Sequence, residues 1–394
     1  MYDVIVIGSG PAGMMASIMA SKNNKVLLLE KNDISGKKLL ITGGGRCNLT
    51  NLKTNREFIE EVEYNKKYLY STINNFGPKD IYDFFTSKGV KLKEEKDNNI
   101  FPVSNKSSEI LMVLLDSMKM VDIKYRENVI DIKALDEIKE VVTQKSIYRA
   151  KNIVIATGGY SFKETGSSGD NMKFARLLGQ PTVNLFPAET YLELKEDTVN
   201  LAGTSFEEVE VSYLKKKKSG NLIFTHKGIS GSSVMKISEF VYLNKDKSIS
   251  IDLLPKLTVN DLINDLNRFD REKEISVFLM NYFSKRFSNY LVSRYDLYGK
   301  IKAYNIKNLI YLFENLKSLK FEVASVGPIE KAYVTGGGID LKYIDSKTME
   351  SKINKGIYFV GESLDIHGPI GGYNITLALS TGYSAGISIN NKMS

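Results

Sequence analysis

The first 31 residues constrain the fold of this chain more than any other segment. Residues 3–7 form a short apolar run rich in β-branched side chains, which is typical of a buried parallel strand. A glycine turn of the form GxGxxG follows at residues 8–13, and a helical segment then extends from residue 12 to 22. A second apolar strand, residues 26–29, ends at Glu30. This order of strand, glycine turn, helix, strand and acid predicts a dinucleotide-binding βαβ unit.

The three glycines of the turn have separate physical roles. Gly8 permits the tight turn, Gly10 allows a pyrophosphate to approach the backbone, and Gly13 allows the helix to pack close to the strand. The helix start favours phosphates, and Glu30 is placed to accept hydrogen bonds from ribose hydroxyls. The alternative, a glycine-rich turn without a ligand, is disfavoured because the whole unit matches and not only the glycines. The cofactor-binding residues predicted from this unit are Gly8, Gly10, Pro11, Ala12, Gly13 and Glu30.

Length and composition indicate a globular protein of two or three domains. The chain has 394 residues, of which 42% are hydrophobic and 25% charged, as is ordinary for a globular protein. No apolar run reaches the length of a membrane span, and a glycine turn that begins at residue 8 leaves no room for a signal peptide. A single cysteine excludes an internal disulfide framework and a CxxC redox pair. We therefore expect a cytoplasmic protein that does not enter a membrane.

The net charge of +8 leaves two interpretations open. An excess of this size attracts an anionic partner such as nucleic acid, and it also arises when a whole proteome is rich in lysine. Lysine is abundant and arginine is not, which weakens the nucleic-acid interpretation because arginine is favoured for bidentate contacts to phosphates and bases.

Residues 36–51 are too polar and too rich in glycine for a core element. The consecutive glycines Gly43, Gly44 and Gly45 expose backbone N–H groups and let a flat ring lie against the chain. Arg46 follows them directly and can donate to a phosphate or to a carbonyl oxygen. A flexible surface loop is the alternative, and we disfavour it because Arg, Cys and Asn directly after three glycines is a costly sequence to keep mobile.

The segment GKKLLITGGGRCNLTN, residues 36–51, resembles the signature of a bacterial flavoprotein family whose FAD domain is similar to that of glutathione reductase. That family includes aminoacetone oxidases, a flavoprotein of bile-acid dehydroxylation and a flavin-dependent ribosomal RNA dihydrouridine synthase. The resemblance covers nearly the whole chain and implies that the cofactor is FAD. The implied fold class is α/β: a Rossmann-like FAD-binding domain of the glutathione-reductase type with an inserted β-rich domain and a small helical subdomain.

The same resemblance implies further contacts to FAD along the chain. The backbone of Val129 touches the adenine, the small residues 157–159 pass beside the dinucleotide, and Glu362 faces the ribitol. Backbone N–H groups of residues 371–374, at a helix start, lie near the flavin N1–C2=O edge, where reduced flavin carries negative charge. The implied FAD-binding residues outside the βαβ unit are Lys31, Lys38, Thr42, Gly43, Gly44, Gly45, Arg46, Cys47, Asn48, Val129, Thr157, Gly158, Gly159, Gly361, Glu362, Gly371, Gly372, Tyr373, Asn374 and Ile375.

We expect three domains, two of which are discontinuous. The FAD-binding domain comprises residues 1–187 and 326–394. An inserted substrate domain, rich in short alternating segments and glycine turns, comprises residues 188–257 and 318–325. A helical subdomain, residues 258–317, has apolar side chains at helical spacing, and Thr258 is its expected N-cap. Within the FAD-binding domain we expect a helix over residues 58–70 and a strand over residues 125–132.

The candidate catalytic residues are Arg46, Cys47 and His367, as proton donors or as residues that orient the substrate. A packed small residue is the more common role for a lone cysteine such as Cys47. His367 departs from the residue that the family commonly carries, so it is either a proton donor near the flavin or neutral variation. No metal site is predicted.

The predicted function is that of an FAD-dependent oxidoreductase. The first interpretation is an NAD(P)H-linked reductase of a conjugated C=C bond, with uridine in ribosomal RNA as the substrate of greatest interest. The alternatives are a flavin oxidase of a small amine such as aminoacetone, a reductase of a small steroid-like enone, and a non-enzymatic flavoprotein or RNA-binding module. The sequence has no second GxGxxG, so we expect a nicotinamide donor to use the substrate's pocket in turn. The sequence leaves the choice between RNA and a small molecule, and the oligomeric state, open.

Overall fold

The chain folds into two compact units. The computed structural model describes residues 1–135 and 137–393. The first unit comprises Met1–Phe186 and Val334–Ser394, and the second comprises Pro187–Tyr333. The second unit is therefore inserted into the first along the chain. The finer division of the insertion into a β-rich domain and a helical subdomain stays a prediction.

A seven-stranded sheet forms the centre of the first unit. The strands of this unit, numbered along the whole chain, are β1 (Tyr2–Ile7), β2 (Val26–Glu30), β3 (Thr50–Asn51), β4 (Leu92–Glu95), β5 (Asn99–Pro102), β6 (Val121–Tyr125), β7 (Val129–Leu135), β8 (Ile138–Thr143), β9 (Ile147–Ile155), β10 (Thr182–Ala188), β17 (Val334–Ile339) and β18 (Ile357–Phe359). The main sheet has the order β6-β2-β1-β9-β8-β7, and β18 also pairs with β9. The pairs β6–β2, β2–β1, β1–β9 and β9–β18 are parallel, whereas β7–β8 and β8–β9 are antiparallel. Burial of β2 on both faces explains its continuous apolar sequence.

Among the described residues, eight α-helices accompany this sheet and the smaller sheets β3-β5-β4 and β10-β17. They are α1 (Pro11–Ala20), α2 (Lys37–Ile41), α3 (Asn55–Glu61), α4 (Leu69–Asn75), α5 (Pro78–Ser87), α6 (Ser107–Asp116), α7 (Asp170–Leu177) and α13 (Tyr373–Met393). The first and last helices pack backbone to backbone, since a Cβ added at Gly382 or Gly386 would lie 2.2 Å from the Ala12 oxygen or 2.6 Å from the Ala16 oxygen. This contact fixes the C-terminal helix beside the glycine turn. Within the described residues, no helix is both long and apolar enough to span a bilayer.

The second unit is a closed barrel of six strands with five helices. Its strands are β11 (Leu192–Leu194), β12 (Ser205–Tyr213), β13 (Lys216–Phe224), β14 (Gly228–Ser230), β15 (Ser248–Asp252) and β16 (Leu319–Val326), in the barrel order β11-β14-β13-β12-β15-β16. Its helices are α8 (Ser232–Leu243), α9 (Val259–Asn267), α10 (Ile275–Leu279), α11 (Lys285–Arg294) and α12 (Ile306–Leu316). One hydrophobic core includes both barrel residues such as Phe224 and helix residues such as Phe313.

Local sequence signals explain several boundaries and fail at others. Thr258 and Asp261 form a capping box that starts α9, in agreement with the expected N-cap at Thr258. The predicted helix over residues 58–70 is wrong, because a capping box at Thr54 starts α3 earlier and the left-handed backbone of Asn65 (φ 56°) separates it from α4.

Helix α2 lies within residues 36–51, and α8 lies within the inserted region that was expected to be β-rich. One strand prediction was wrong in detail. The single strand expected over residues 125–132 is instead β6 and β7, separated by a turn in which Arg126 has φ 56°.

Candidate functional site

The glycine turn between β1 and α1 has the geometry of an anion site. A Cβ at Gly13 would lie 1.9 Å from the Gly8 oxygen, so only glycine allows this approach of helix to strand. A Cβ at Gly10 would meet nothing within 4 Å. Helix α1 begins at Pro11, and no side chain caps its start. The N–H groups of the first turn, which have no partners within the helix, therefore point to the open space beside Gly10.

Glu30, at the end of β2, holds the turn through four hydrogen bonds. Its Oε2 accepts from the N–H of Ser9 at 2.9 Å and from the Ser9 hydroxyl at 2.8 Å. Its Oε1 accepts from the backbone and side-chain nitrogens of Asn32, both at 2.8 Å. An ionised carboxylate offers about four lone-pair sites, so a ribose hydroxyl would have to replace one of these donors. The movable donors are the side chains of Ser9 and Asn32.

Two lysines predicted at the cofactor form ion pairs with acids. Lys31 donates to Asp170 at 2.7 Å and to Ser168 at 2.6 Å. The Lys38 ammonium donates to Glu362 at 2.6 Å and to the Ser161 hydroxyl at 2.7 Å. The other Glu362 oxygen accepts from the N–H of Thr335 at 3.0 Å. The Lys38–Glu362 pair ties the first glycine-rich segment to the C-terminal one across 324 positions of sequence.

The triple glycine leaves an open backbone face. Gly43, Gly44 and Gly45 have φ values of 56°, 67° and 85°, a left-handed run that favours glycine. Each of these residues would cost about 1–2 kcal/mol if it carried a side chain in this conformation. A Cβ at Gly44 would meet nothing within 4 Å, and one at Gly45 would find only the Leu40 oxygen at 3.9 Å. Thr42, which precedes them, turns its hydroxyl away to the Leu39 oxygen at 2.7 Å.

The predicted segments converge on the start of α1. A Cβ at Gly361 would lie 2.8 Å from the Ala12 methyl, and one at Gly8 would lie 3.4 Å from the Thr157 Cα. A Cβ at Gly159 would lie 2.6 Å from the Thr335 hydroxyl and 3.1 Å from the Glu362 Cγ. Small residues at this strand end are therefore required by the protein's own packing. Gly158 is similarly close to Ser167, with 3.0 Å from an added Cβ to the Ser167 hydroxyl.

The C-terminal glycine loop meets the triple-glycine loop at β3 and β5. The amide of Asn48 donates to Asn99 at 3.0 Å, and a Cβ at Gly371 would lie 3.2 Å from the same Asn99 oxygen. A Cβ at Gly372 would lie 2.6 Å from the backbone of Thr50. Sequence analysis singled out neither Asn99 nor Thr50, although the turn-forming pair Asn98-Asn99 before an apolar segment was a signal for a structured loop.

The remaining predicted cofactor residues differ in their contacts and in their burial. The Asn374 side chain holds the loop in place through Gly368, donating to its oxygen at 2.7 Å and accepting from its N–H at 3.0 Å. The Tyr373 ring stacks on Phe58 with 4.6 Å between ring centres, and a Cβ at Gly371 would lie 3.6 Å from the same ring. Ile375 is half-buried, and Val129 is buried at the start of β7.

The three catalytic candidates differ in accessibility. The Arg46 side chain is 41% exposed, donates to Glu95 at 3.0 Å and lies over the Phe101 ring at 4.2 Å. Cys47 is fully buried, and burial raises the pKa of its thiol to about 12. His367 is 3% exposed and its ring stacks on Tyr64 at 4.8 Å. Of the three, only Arg46 is open to a ligand without rearrangement.

Beside His367 lies a buried acid that sequence analysis missed. Asp365 accepts from the Tyr64 hydroxyl at 3.3 Å and from the Asn65 amide at 3.1 Å. Burial outweighs these bonds and the attraction of His367, and it raises the pKa of the Asp365 carboxyl. A single Asp in a glycine-rich loop gives no sequence signal for such burial.

The site fits a flat, phosphate-bearing dinucleotide. The open space at Gly10 and the uncapped helix start suit a pyrophosphate, and the open face at Gly44 suits a ring. Two buried acceptor atoms near these loops, Thr157 Oγ1 and Asn48 Oδ1, have no protein partner among the described residues. Buried polar atoms of this kind are normally satisfied, so a bound ligand would supply the missing bonds. The fold and the site define a Rossmann-type FAD-binding domain.

Comparison with known proteins identifies the family. The family model described as the HI0933-like protein Rossmann domain matches residues 2–388, so the chain belongs to this family. The ribosomal RNA dihydrouridine synthase of Escherichia coli is 30% identical over 97% of this chain and 96% of its own length. The 3-dehydro-bile acid delta(4,6)-reductase of Clostridium scindens is 27% identical over 98% of both chains.

Solved structures agree with the fold. The 3-ketosteroid-delta4-(5alpha)-dehydrogenase of Rhodococcus jostii superposes with a TM-score of 0.53 at 13% identity, over 99% of this chain and 96% of that one. At this identity the likeness concerns the fold alone. Taken with the family and its named relatives, the site identifies an enzyme, an FAD-dependent oxidoreductase.

Proposed function

We propose that the protein is an NAD(P)H-linked reductase of a conjugated carbon–carbon double bond, and that its first candidate substrate is uridine in ribosomal RNA. The observation that carries the proposal is the open backbone face at residues 43–45, in a chain whose relatives include a ribosomal RNA dihydrouridine synthase and a 3-dehydro-bile acid delta(4,6)-reductase. Dihydrouridine is uridine with its C5=C6 bond reduced, and a delta(4,6)-reductase acts on conjugated double bonds in a sterol ring. The shared chemistry is addition of a hydride and a proton across the bond.

Bound FAD would supply the hydride transfer, and the protein would bind and orient the reactants. The residues proposed to hold the dinucleotide are those of the α1 turn, the triple-glycine loop and the C-terminal loop named above. The N–H groups at the start of α1 would bind the pyrophosphate, and the start of α13 would face the flavin edge that gains negative charge. Val129, Thr157 and Glu30 would contact the adenosine half.

Arg46 is the best placed of the catalytic candidates. It is partly exposed, and its guanidinium is positioned on two sides by Glu95 and Phe101. A positioned guanidinium can donate hydrogen bonds to the carbonyl oxygen conjugated with the double bond, which polarises that bond toward hydride attack. We assign Cys47 to packing because a buried thiol with a raised pKa is a poor acid at neutral pH. His367 would act through its neighbours rather than by direct contact, since its ring is enclosed.

The nicotinamide donor would share the substrate's pocket. The chain has one GxGxxG and no second one, so a separate nicotinamide domain is not expected. Reduction and substrate binding would therefore alternate at one face of the ring. A ribosomal substrate would also place the protein in the cytoplasm.

A small enone is the second candidate substrate. The observation that favours it is the bile-acid reductase relative, which covers 98% of both chains at an identity close to that of the RNA-modifying relative. The two candidates require different docking surfaces, and this difference makes them separable by experiment.

The test is direct product analysis. Ribosomal RNA from a strain that lacks this protein would be incubated with the purified FAD-loaded enzyme and NADPH or NADH, and nucleosides would be analysed by mass. The proposal expects one uridine to gain two hydrogens only when enzyme and donor are both present. Reduction of a 3-keto-4,6-diene steroid with no change in RNA would move the assignment to the enone, and peroxide release with a small amine would contradict the reductase altogether.

A further inference from the structure

One segment of the second unit combines positive charge with tyrosines. Residues 285–320 contain eight Lys or Arg and two Asp or Glu, a net charge of +6, which residues 21–56 and 212–247 also carry. The same segment holds five of the 22 tyrosines. A cluster of cations with interleaved aromatic side chains is the footprint of a nucleic-acid contact surface.

The segment is a well-formed piece of structure. It consists of α11, α12 and the loop between them. The Ser284 side chain caps α11 by accepting from the Phe287 N–H, and the Asn305 side chain caps α12 by accepting from the Asn308 N–H. The buried residues of these helices belong to the core of the second unit. Lys307 and Tyr311 are therefore presented from α12, whereas Tyr298, Lys300 and Lys302 lie in the loop between the two helices.

Two tyrosine rings are exposed on this segment. Tyr298 is 62% exposed and Tyr311 is 60% exposed. The Tyr311 ring contacts the edge of Tyr295 at 6.2 Å, and the Tyr298 carbonyl accepts a hydrogen bond from the Tyr304 hydroxyl. The Tyr311 ring is thus packed against Tyr295 on one side, whereas the contact at Tyr298 holds its backbone. Exposed aromatic rings among cations provide faces on which unpaired bases can stack.

The cations around these rings are only partly neutralised. Lys300 and Lys302 share one acid, Glu272, at 3.2 and 2.7 Å. Lys307 lies one helical turn before Tyr311 and, within the described part of the chain, has no carboxylate at ion-pair distance. The other cations of the segment include structural ones, such as Lys317, which is paired with Asp252 at 2.7 Å.

We propose that Tyr298, Lys300, Lys302, Lys307 and Tyr311 form one surface, the tyrosine–lysine face, and that this surface docks RNA. The proposal rests on ribosomal RNA being the substrate. The rings stack on unpaired bases while the lysines contact the flanking phosphates. A small steroid needs no such surface, and residues 285–320 hold five tyrosines, whereas the equally basic residues 212–247 hold two and residues 21–56 hold none. RNA is favoured over an acidic protein because the exposed rings provide π-faces that fit bases.

The test measures RNA binding separately from turnover. The FAD-loaded protein is titrated against a fluorescent transcript of unmodified ribosomal RNA at several salt concentrations. The triple variant Lys300→Gln, Lys302→Gln, Lys307→Gln is expected to weaken binding at least 10-fold and to reduce the slope of log Kd against log salt by about 2–3. The variants Tyr298→Ala and Tyr311→Ala are each expected to weaken binding about 5- to 150-fold with the salt slope unchanged.

Matched substitutions in the first unit serve as controls. Lys88, Lys91 and Lys106 are exposed there and are changed to Gln together, and Tyr70, 45% exposed, is changed to Ala. These variants are expected to bind RNA as the unmodified protein does. All variants are checked for FAD content and for bleaching by NAD(P)H, which the proposal expects to be unchanged.

The outcomes separate this proposal from the proposed function. If the face variants bind RNA and form dihydrouridine like the unmodified protein, the tyrosine–lysine face is not the docking surface, although RNA remains the substrate. If the unmodified protein binds RNA no better than it binds heparin, and deletion of its gene leaves dihydrouridine unchanged, both proposals fail. Preferential binding to anionic phosphatidylserine vesicles or to an acidic polypeptide through the same residues would also overturn the RNA assignment.

Discussion

Substitution of alanine at two glycines three positions apart should have opposite consequences. At Gly10 the backbone is ordinary (φ −77°, ψ 177°), and a Cβ meets nothing within 4 Å of protein. Replacing glycine by alanine at a helix N-cap lowers the free energy of unfolding by up to ~1 kcal/mol. The unfolded chain also loses conformational entropy, which raises the free energy of unfolding by about 0.4–1 kcal/mol. The apoprotein of Gly10→Ala should therefore be as stable as the unmodified apoprotein to within about 0.5 kcal/mol.

The added methyl at Gly10 should instead act on FAD. It projects into the open space where the pyrophosphate is proposed to bind. Overpacking by a methyl costs about 1–3 kcal/mol, which corresponds to a ~5- to 150-fold increase in Kd for FAD. At Gly13 the same methyl would lie 1.9 Å from a backbone oxygen that cannot move aside. Gly13→Ala should therefore lose at least ~2 kcal/mol of folding free energy, or fail to fold.

The assay is urea unfolding of each apoprotein, followed by titration with FAD monitored by quenching of flavin fluorescence. The reasoning predicts a stable Gly10→Ala protein with weak FAD binding and an unstable Gly13→Ala protein. A Gly10→Ala protein that binds FAD as tightly as the unmodified protein would refute the placement of the pyrophosphate at this turn. Equal stability of both variants would refute the packing argument.

Three further predictions concern the charged and buried groups of the site. Lys38→Met leaves Glu362 without its cation in a partly buried position, so the free energy of unfolding in urea should fall by about 1–3 kcal/mol. Adding Glu362→Gln should restore part of this loss. No recovery in the double variant would show that the two residues are not coupled. Burial raises the pKa of the Cys47 thiol from 9.0 to about 12, so at pH 8 the folded protein holds roughly 1,000-fold less Cys47 thiolate than the unfolded chain. Iodoacetamide should therefore label Cys47 only after unfolding. Rapid labelling of the folded protein would contradict this prediction. Burial also raises the pKa of the Asp365 carboxyl, so the folded state favours its protonated form. The free energy of unfolding of the unmodified protein, relative to that of Asp365→Asn, should therefore fall as the pH rises from about 4 through the raised pKa. A difference that does not change with pH would contradict the burial argument.

Sequence reasoning was successful where the physical signal is local. The order of β1, the glycine turn, α1 and β2 is encoded within 30 consecutive residues, and the expected FAD-binding fold was confirmed by the family and by related structures. The N-cap at Thr258 could likewise be predicted, because a capping box spans only four residues. Short-range chemistry of this kind does not depend on how the rest of the chain is arranged.

Sequence reasoning failed where partners are distant in the chain. The ion pair of Lys38 with Glu362 spans 324 positions, and nothing near either residue specifies the other. Lys38 was instead assigned to the cofactor, a role that stays a prediction. The five-residue helix α2 was missed because it is too short for a helical period to be recognised among glycines. The combination of cations and tyrosines in residues 285–320 was present in the sequence, but the net charge of the whole chain does not reveal it.

The central claim is best tested by an anaerobic titration of the purified FAD-loaded protein with NADPH or NADH, followed by unmodified ribosomal RNA and monitored at the flavin absorbance band. The account predicts that a nicotinamide donor bleaches the band, that RNA restores it, and that one uridine in the RNA becomes dihydrouridine. No bleaching by either nicotinamide would contradict the account, and so would recovery of the band only on admission of air, with release of peroxide.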